Sequence, residues 1–325
     1  MSERFEDSME RWTQAVLRGE PQAVARAISA VENQDDHSRE LLRRLFPHTG
    51  RALRIGVTGA AGSGKSTLVD GLAAQLRRQG KTVGILAVDP SSPFTGGAIL
   101  GDRIRMSSLS GDPGVTIRSM ATRGALGGLS RAVLDAALVL DAAGKDCILI
   151  ETVGVGQDEV AVAKLADVTL LLLVPGLGDD VQTFKAGVME IADIFVVNKA
   201  DLPGADRVVE ETLALLSLVP SDGWTPPVVK TVAARKEGLE ELLAAVERYM
   251  EFSRSSGSRE TRQAEHWQAR LLELLRDRLL EGVFERVLAD GDLARHAAAV
   301  ASRQQDPYTV ADQILEKAGW RAKKS

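Results

Sequence analysis

Hydrophobic positions follow two alternating periods between residues 54 and 249. Short apolar runs typical of buried strands predict β-strands at 54–58, 82–88, 115–119, 146–151, 168–174, 193–198 and 228–232. Helical spacing predicts helices between them, most clearly at 129–143, 205–217 and 239–251. Because strands that alternate with helices form parallel sheets covered on both faces, we expect an α/β fold with a mostly parallel sheet. Ligands of such sheets bind at the carboxyl ends of the strands.

Both ends of the chain carry helical patterns only. Residues 1–50 contain three amphipathic segments and are expected to form an N-terminal helical extension. A polar segment at 254–258 predicts a linker to a long amphipathic helix and two shorter ones. We therefore expect domains at 1–50, 51–252 and 258–325, the last a helical arm. Its apolar stripe has to be buried, either on the rest of the chain or against a second copy.

Composition narrows the possible partners and the compartment. The net charge of −5 gives no basic excess, which argues against nucleic acid as a partner. The longest apolar run, at 170–174, is strand-sized, so no membrane span is expected. Cys147 is the single cysteine, which excludes an intramolecular disulfide and is typical of a reducing cytosol. The first ten residues are polar and acidic, unlike those of a signal peptide. The sequence therefore predicts a cytoplasmic protein.

Residues 59–66 match the phosphate-binding pattern G-x-x-x-x-G-K-[ST], directly after a predicted strand and before a helix at 65–79. Glycines in this loop allow successive backbone N–H groups to point at phosphate oxygens, and the helix N-terminus adds its positive dipole end. Lys65 is expected to reach the β- and γ-phosphates and Ser66 to ligate Mg²⁺. The alternative, a glycine-rich turn that binds nothing, is disfavoured by the complete motif. The predicted contacts are Gly59, Ala61, Gly62, Ser63, Gly64, Lys65, Ser66 and Thr67.

The residues Asn198, Lys199 and Asp201 form an N-K-x-D motif at the end of another predicted strand. Guanine offers two adjacent donors that one carboxylate accepts together, and adenine lacks that pair, so Asp201 favours GTP or GDP over adenine nucleotides. Asn198 is expected to brace the base and the loop, and Lys199 to lie along the ring. Ala233 and Ala234 end the next strand and are weaker candidates for amide contacts to guanine O6.

Three acidic residues are candidates for the metal site. Glu151 ends an apolar strand three residues before Gly154, an arrangement that resembles the D-x-x-G element of GTPases with Glu in place of Asp. Glu151 is expected to hold Mg²⁺ through water, and the Gly154 amide to sense the γ-phosphate. Asp89 ends another strand, and Asp102 lies in a glycine-rich loop. Strand-end capping for Asp89 and helix N-capping for Asp102 are the structural alternatives.

The sequence lacks a glutamine at the position that orients the attacking water in Ras-like GTPases. In Ras-like GTPases a glutamine follows the D-x-x-G glycine, but here that position is Val155, which cannot orient water, and Gln157 stands two residues further on. We therefore predict slow hydrolysis by the isolated protein and a partner that rearranges the loop or supplies a charge. Four arginines could stabilise the transferred phosphate, although an exposed ion pair is the simpler role for any one of them: Arg103, Arg105, Arg118 and Arg123.

Together the segments 86–92, 151–157 and 198–201 resemble the methylmalonyl-CoA mutase-associated GTPases, the MeaB/ArgK-like group of the SIMIBI class of P-loop proteins. The likeness runs from about Leu17 to Val246. It implies a homodimeric GTPase chaperone that gates adenosylcobalamin loading of an acyl-CoA mutase and protects that mutase. The cobalamin is then expected on the partner and not on this chain.

The resemblance also implies roles for particular residues. Ser66, Asp89, Asp102 and Glu151 become Mg²⁺ or switch residues. A further loop is implied to sense the partner, through Gly178, Asp179, Asp180, Gln182 and Lys185. Family members often carry two basic residues near the end of that loop, whereas here Lys185 is followed by Ala186. Identical contacts with a mutase therefore do not follow from the resemblance.

Four other functions are possible for a chain with a P-loop. A nickel-insertion GTPase needs a Cys/His cluster, and Cys147 and the four histidines lack ligand spacing. A small-molecule or protein kinase needs a second substrate pocket with a base, which the sequence does not reveal. A free-standing regulatory GTPase, not tied to a mutase, stays open, as does the identity of the mutase. A binding scaffold with an inactive P-loop is disfavoured by the intact Lys65 and Ser66.

Overall fold

The computed structural model describes residues 3–89, 109, 111–121, 128–152, 165–176, 191–218, 223–288 and 292–319. Seven strands form one sheet in the order β3-β2-β4-β1-β5-β6-β7, and every neighbouring pair is parallel. The strands are β1 Leu53–Gly59, β2 Val83–Asp89, β3 Val115–Ala121, β4 Cys147–Glu151, β5 Val168–Leu173, β6 Ile194–Asn198 and β7 Val228–Thr231. The predicted α/β fold and all seven predicted strands are confirmed, with bounds that differ by two residues at most.

Ten α-helices lie within the described residues. They are α1 Glu3–Leu17, α2 Pro21–Asn33, α3 Ser38–Leu45, α4 Lys65–Arg78, α5 Gly128–Ala142, α6 Ala205–Leu216, α7 Leu239–Ser255, α8 Ser258–Val287, α9 Asp292–Ala301 and α10 Pro307–Lys317. Short 3-10 helices occupy Phe46–His48 and Ala233–Arg235. The predicted linker at 254–258 is shorter than expected, because α7 runs to Ser255 and only a two-residue turn, with Gly257 at φ 71°, precedes α8.

The alternation of side chains along the strands assigns two faces to the sheet. In β4, Cys147 and Leu149 pack into the core that includes α4 and α7, whereas Ile148 and Ile150 pack into the core that includes α1, α2, α3 and α5. The same parity places the last residue of β4, Glu151, on the α4 side. A similar alternation in β6 places Asn198 on that side too, since Ile194 and Val196 belong to the α4 core.

The N-terminal helices pack on the other face of the sheet. Val16, Ile28, Leu41 and Leu45 are almost fully buried and share a core with α5. The buried carboxylate of Asp141 in α5 accepts backbone N–H groups of residues 50, 51 and 52 at 2.6, 3.2 and 3.0 Å. These bonds fix the segment that leads into β1, because a charged acceptor holds several backbone donors strongly.

The chain divides into two compact units, Met1–Gly257 and Ser258–Ser325. The first 50 residues belong to the first unit with the sheet. In the second unit, α8 exposes large apolar side chains, each at least 44% accessible: Leu271, Leu272, Leu275, Leu279, Leu280 and Phe284. Among the described residues, no helix is both long and apolar enough to cross a membrane.

Candidate nucleotide-binding site

The loop between β1 and α4, which carries the predicted phosphate-binding motif at 59–66 and is called the phosphate loop below, has the backbone conformation that its glycines permit. Gly59, Gly62 and Gly64 have φ of 144°, 80° and 92°, values that residues with a side chain rarely adopt. A Cβ on Gly64 would lie 2.5 Å from Asn198 Nδ2, and one on Gly59 would lie 2.6 Å from the carbonyl oxygen of Leu172. The loop backbone therefore lies against β5 and the end of β6, at the carboxyl edge of the sheet.

Lys65 begins α4, and its side chain folds back over the loop. Its Nζ donates to the carbonyl oxygens of Gly59 at 2.8 Å and Ala60 at 2.9 Å, and the residue is only 6% exposed. A buried ammonium needs such acceptors, because removing an unpaired charge from water is costly. The contacts hold a positive charge at the mouth of the phosphate loop.

Ser66 and Glu151 meet beside the loop. The Ser66 hydroxyl donates to Glu151 Oε1 at 2.6 Å, and Glu151 is 4% exposed. This contact follows from the strand parity, which turns the end of β4 toward α4. A hydroxyl and a carboxylate are oxygen donors of the kind that Mg²⁺ prefers, so these two residues fit the predicted metal site. Within the described residues there is no group of three or more His, Cys, Asp or Glu side chains placed to hold a metal.

Asn198 joins three segments of the site. Its Nδ2 donates to the carbonyl oxygen of Ser63 at 2.8 Å, while its Oδ1 accepts from Thr231 Oγ1 and from the Ala233 amide, both at 3.1 Å. The side chain is buried and links the phosphate loop, β6 and the segment after β7. Because Asn198 engages the Ala233 amide, the Ala234 amide is the remaining candidate of the predicted pair.

Lys199 adds a second connection to the same loop. It has a left-handed backbone, with φ 55°, and its Nζ donates to the carbonyl oxygen of Gly62 at 2.9 Å. Adjacent residues of the N-K-x-D motif thus bind adjacent carbonyl groups of the phosphate loop. The predicted phosphate and base segments therefore form one hydrogen-bonded unit.

A cavity of about 260 Å³ opens next to this unit. It is lined by Gly64, Thr67, Asn198, Lys199, Asp201, Leu202, Val232, Ala233, Ala234 and Arg235. Asp201 has 31% of its side chain exposed, and its Oδ2 accepts from a terminal nitrogen of Arg235 at 2.8 Å. The sequence reasoning missed Arg235, since no motif marks a residue that is brought to Asp201 by the turn after β7.

Several predicted residues lie outside the described part of the structure. Asp89 ends β2, but its side chain is not described. The other predicted residues outside the description are Asp102, Gly154 and Gln157 of the metal and switch segments, Gly178, Asp179, Asp180, Gln182 and Lys185 of the partner-sensing loop, and the arginines Arg103, Arg105 and Arg123. Their predicted roles stay predictions.

Arg118 is the one of the four arginine candidates that the structure describes. It lies in β3, and its guanidinium contacts the Glu32 carboxylate of α2 at 2.5 Å. The pair joins the N-terminal helices to the sheet. This contact favours the structural alternative for Arg118 over a role at the transferred phosphate.

The geometry defines a class of protein. A phosphate loop after a central parallel strand, with an N-K-x-D motif bonded to that loop, is the arrangement of a P-loop GTPase. The family model "Methylmalonyl Co-A mutase-associated GTPase MeaB" matches residues 24–287. The chain belongs to this family, which confirms the resemblance inferred from the motifs.

Individual proteins and one solved structure are also similar to this chain. The chain is 48% identical over 304 residues to a putative GTPase of Pyrococcus abyssi, covering 92% of this chain and 94% of the relative. It is 34% identical to the mitochondrial methylmalonic aciduria type A homolog of Mus musculus, covering 97% and 81% of the two chains. A crystal structure named LAO/AO transport system kinase superposes with a TM-score of 0.71 at 28% identity, covering 97% and 98%.

Proposed function

We propose that this protein binds GTP at the carboxyl edge of its sheet and hydrolyses it to GDP and phosphate. The observation that carries the proposal is the direct bonding of the N-K-x-D residues to the phosphate loop. Asn198 contacts Ser63, and Lys199 contacts Gly62, so base and phosphate segments are held in fixed register. Membership of a GTPase family supports the same reaction.

The phosphate half of the site supplies charge and a place for Mg²⁺. Lys65 is positioned to exchange its two carbonyl contacts for oxygens of the β- and γ-phosphates, which carry the charge that develops during transfer. Ser66 and Glu151 are the described residues that would hold Mg²⁺, Ser66 directly and Glu151 through water. The metal, when bound, neutralises charge on the phosphate oxygens.

The part of the site that faces the base determines which nucleotide binds. The Asp201 carboxylate lines the cavity that lies next to the phosphate loop. Two parallel donors on guanine suit a carboxylate, and adenine lacks them, so the site favours guanine. Asn198 keeps this wall in place through its bonds to Thr231 and Ala233.

Hydrolysis is proposed to be slow until a partner binds. Val155 takes the place of the water-orienting glutamine, and Gln157 is the nearest alternative in sequence. The segment that contains Gly178, Asp179, Asp180, Gln182 and Lys185 is proposed to sense the partner. The timing of hydrolysis is then the output of the protein.

The proposed partner is an adenosylcobalamin-dependent acyl-CoA mutase, with the cobalamin bound on the mutase. The family is named for its association with methylmalonyl-CoA mutase, and the mouse relative is named for methylmalonic aciduria. The proposed task is to gate cofactor loading of that mutase and to protect it. Methylmalonyl-, isobutyryl-, ethylmalonyl- and 2-hydroxyisobutyryl-CoA mutases are the candidates.

We expect a cognate mutase to raise the rate of GTP turnover at least tenfold. This acceleration requires only about 1.4 kcal/mol of additional transition-state stabilisation. The measurement is phosphate release by the purified protein with and without each candidate mutase. Cofactor transfer to the mutase is followed in parallel with GTP, GDP and a non-hydrolysable analogue, because coupling between binding equilibria is reciprocal.

The Lys65→Ala variant is the control for this experiment, since it should abolish turnover by this chain and expose any contaminating hydrolase. If no candidate mutase changes turnover and the nucleotide never alters cofactor loading, the chaperone role is wrong. A free-standing regulatory GTPase would then be the better description.

We also propose that the protein forms a homodimer. Leu271, Leu275 and Leu279 recur every four residues along α8 and are 44–58% exposed, so a second copy could cover this stripe. Sedimentation velocity at micromolar concentration measures the dimer, and a monomer would contradict it.

A cytoplasmic location is proposed because a single cysteine is typical of proteins in a reducing cytosol. This cysteine, Cys147, is buried, which raises the pKa of its thiol to about 12 and suits a structural role.

Transfer of phosphate to a second substrate is the alternative reaction. The word kinase in the name of the similar crystal structure describes that protein. Hydrolysis is favoured here because the family and the Pyrococcus relative are both named GTPases.

A further inference from the structure

Arg235 occupies a position in the cavity that the backbone fixes. It ends the 3-10 helix Ala233–Arg235, and its amide donates to the carbonyl oxygen of Val232 at 2.9 Å. The next residue, Lys236, has φ 61°, and its amide donates to Ala233 at 3.1 Å. Gly238 then turns the chain into α7 with φ 77°, where a Cβ would lie 2.2 Å from the Lys230 carbonyl oxygen. The turn thus carries the Arg235 side chain into the wall of the cavity.

The Arg235 guanidinium contacts the carboxylate that reads the base. One terminal nitrogen lies 2.8 Å from Asp201 Oδ2, and both residues line the same cavity. The pair is not sealed from water, because 58% of the Arg235 side chain and 31% of the Asp201 side chain are exposed. Exposed pairs of this kind are weak, so another ligand of the carboxylate can displace the arginine.

Guanine and arginine present the same chemical group to a carboxylate. The N1–H and 2-amino donors of guanine are attached to one carbon, as are the parallel N–H donors of a guanidinium group. Both groups therefore suit bidentate binding by one carboxylate. A base that uses both oxygens of Asp201 therefore competes with Arg235 for Oδ2.

We propose that Arg235 is an intramolecular competitor of guanine for Asp201. This inference rests on the proposed guanine-nucleotide site and adds a residue that sets its affinity. While Arg235 holds Asp201, the base site is not competent, so the apparent affinity falls by the fraction of molecules that are paired. An exposed pair of this strength populates the paired form by at most about fivefold over the open form. The loss of affinity is expected as a lower association rate constant, because only the form with Asp201 unpaired accepts the base.

The test is the affinity of the full-length protein for GDP with Arg235→Gln, which removes the charge and the parallel donors. We expect GDP to bind about threefold to fivefold more tightly, with the gain in the association rate constant. Lys236→Gln is the matched control, since it removes the same charge one residue away without a contact to Asp201. The Lys236→Gln variant should bind GDP with the affinity of the parent protein.

A double variant separates this explanation from a general change of charge. In an Asp201→Ala background, adding Arg235→Gln should leave the residual GDP affinity unchanged, because the competed group is gone. The inference is overturned if Arg235→Gln binds GDP with the parental affinity or more weakly, or if the gain persists without Asp201. A parent protein that binds no GDP would instead contradict the proposed function.

Discussion

Replacing Asp201 with asparagine is expected to convert a guanine site into a xanthine site. Hydrogen bonds to a charged group contribute about 1.5–3 kcal/mol, so GDP affinity should fall at least tenfold. Xanthosine diphosphate should gain affinity, because its 2-oxo group accepts from the asparagine amide where the guanine 2-amino group donates. Calorimetric titration of both nucleotides into both proteins measures the exchange.

Asp206→Asn is the matched control for this change. Asp206 lies in α6, its side chain is 84% exposed, and it pairs with Lys230 outside the cavity lining. The same loss of charge there should leave both affinities near the parental values. If Asp201→Asn keeps the parental preference for GDP, Asp201 does not read the base.

Removing the Ser66 hydroxyl should reduce the rate of hydrolysis at least tenfold and change GDP affinity much less. The hydroxyl lies 2.6 Å from Glu151 Oε1, and in the proposed site Ser66 would hold Mg²⁺ directly and Glu151 would hold it through water. The metal acts mainly on charge that develops at the β- and γ-phosphates during transfer, so the loss appears in turnover. Single-turnover hydrolysis of GTP by Ser66→Ala, over a range of Mg²⁺ concentrations, measures it.

Ser66→Thr provides the conservative comparison, because it retains the hydroxyl that the P-loop pattern permits at this position. It should recover most of the parental rate. A Ser66→Ala protein that hydrolyses GTP at the parental rate, with the same dependence on Mg²⁺, would remove Ser66 from the metal site.

The fold was predictable because its signals are local. The apolar runs inside the predicted strands 146–151 and 168–174 are short and bounded by polar or turn-forming residues, and these features specify buried parallel strands. The phosphate loop was predictable for a related reason, since its glycines and its Lys65 lie in one continuous stretch. Membership of the family followed from the combination of three such stretches.

Contacts between distant segments were not predictable from one sequence. Asn198 reaches Ser63 across 135 positions, and Arg235 reaches Asp201 across 34, because parallel strands bring their carboxyl ends to one edge. The motifs identified Asn198 and Asp201 but not the partners that hold them. Arg235 has no such signal, since an arginine after a strand is ordinary in sequence and acquires its position from the turn that follows β7.

The most direct test of the central claim is the affinity of the unmodified protein for GDP and ADP, measured by calorimetry in the same Mg²⁺-containing buffer. The two nucleotides carry the same phosphates and ribose, so Lys65 and Ser66 treat them alike and only the base differs. We predict that GDP binds at least tenfold more tightly than ADP, because Asp201 gains a paired contact with guanine alone. Equal affinity for the two nucleotides would contradict a guanine-reading site.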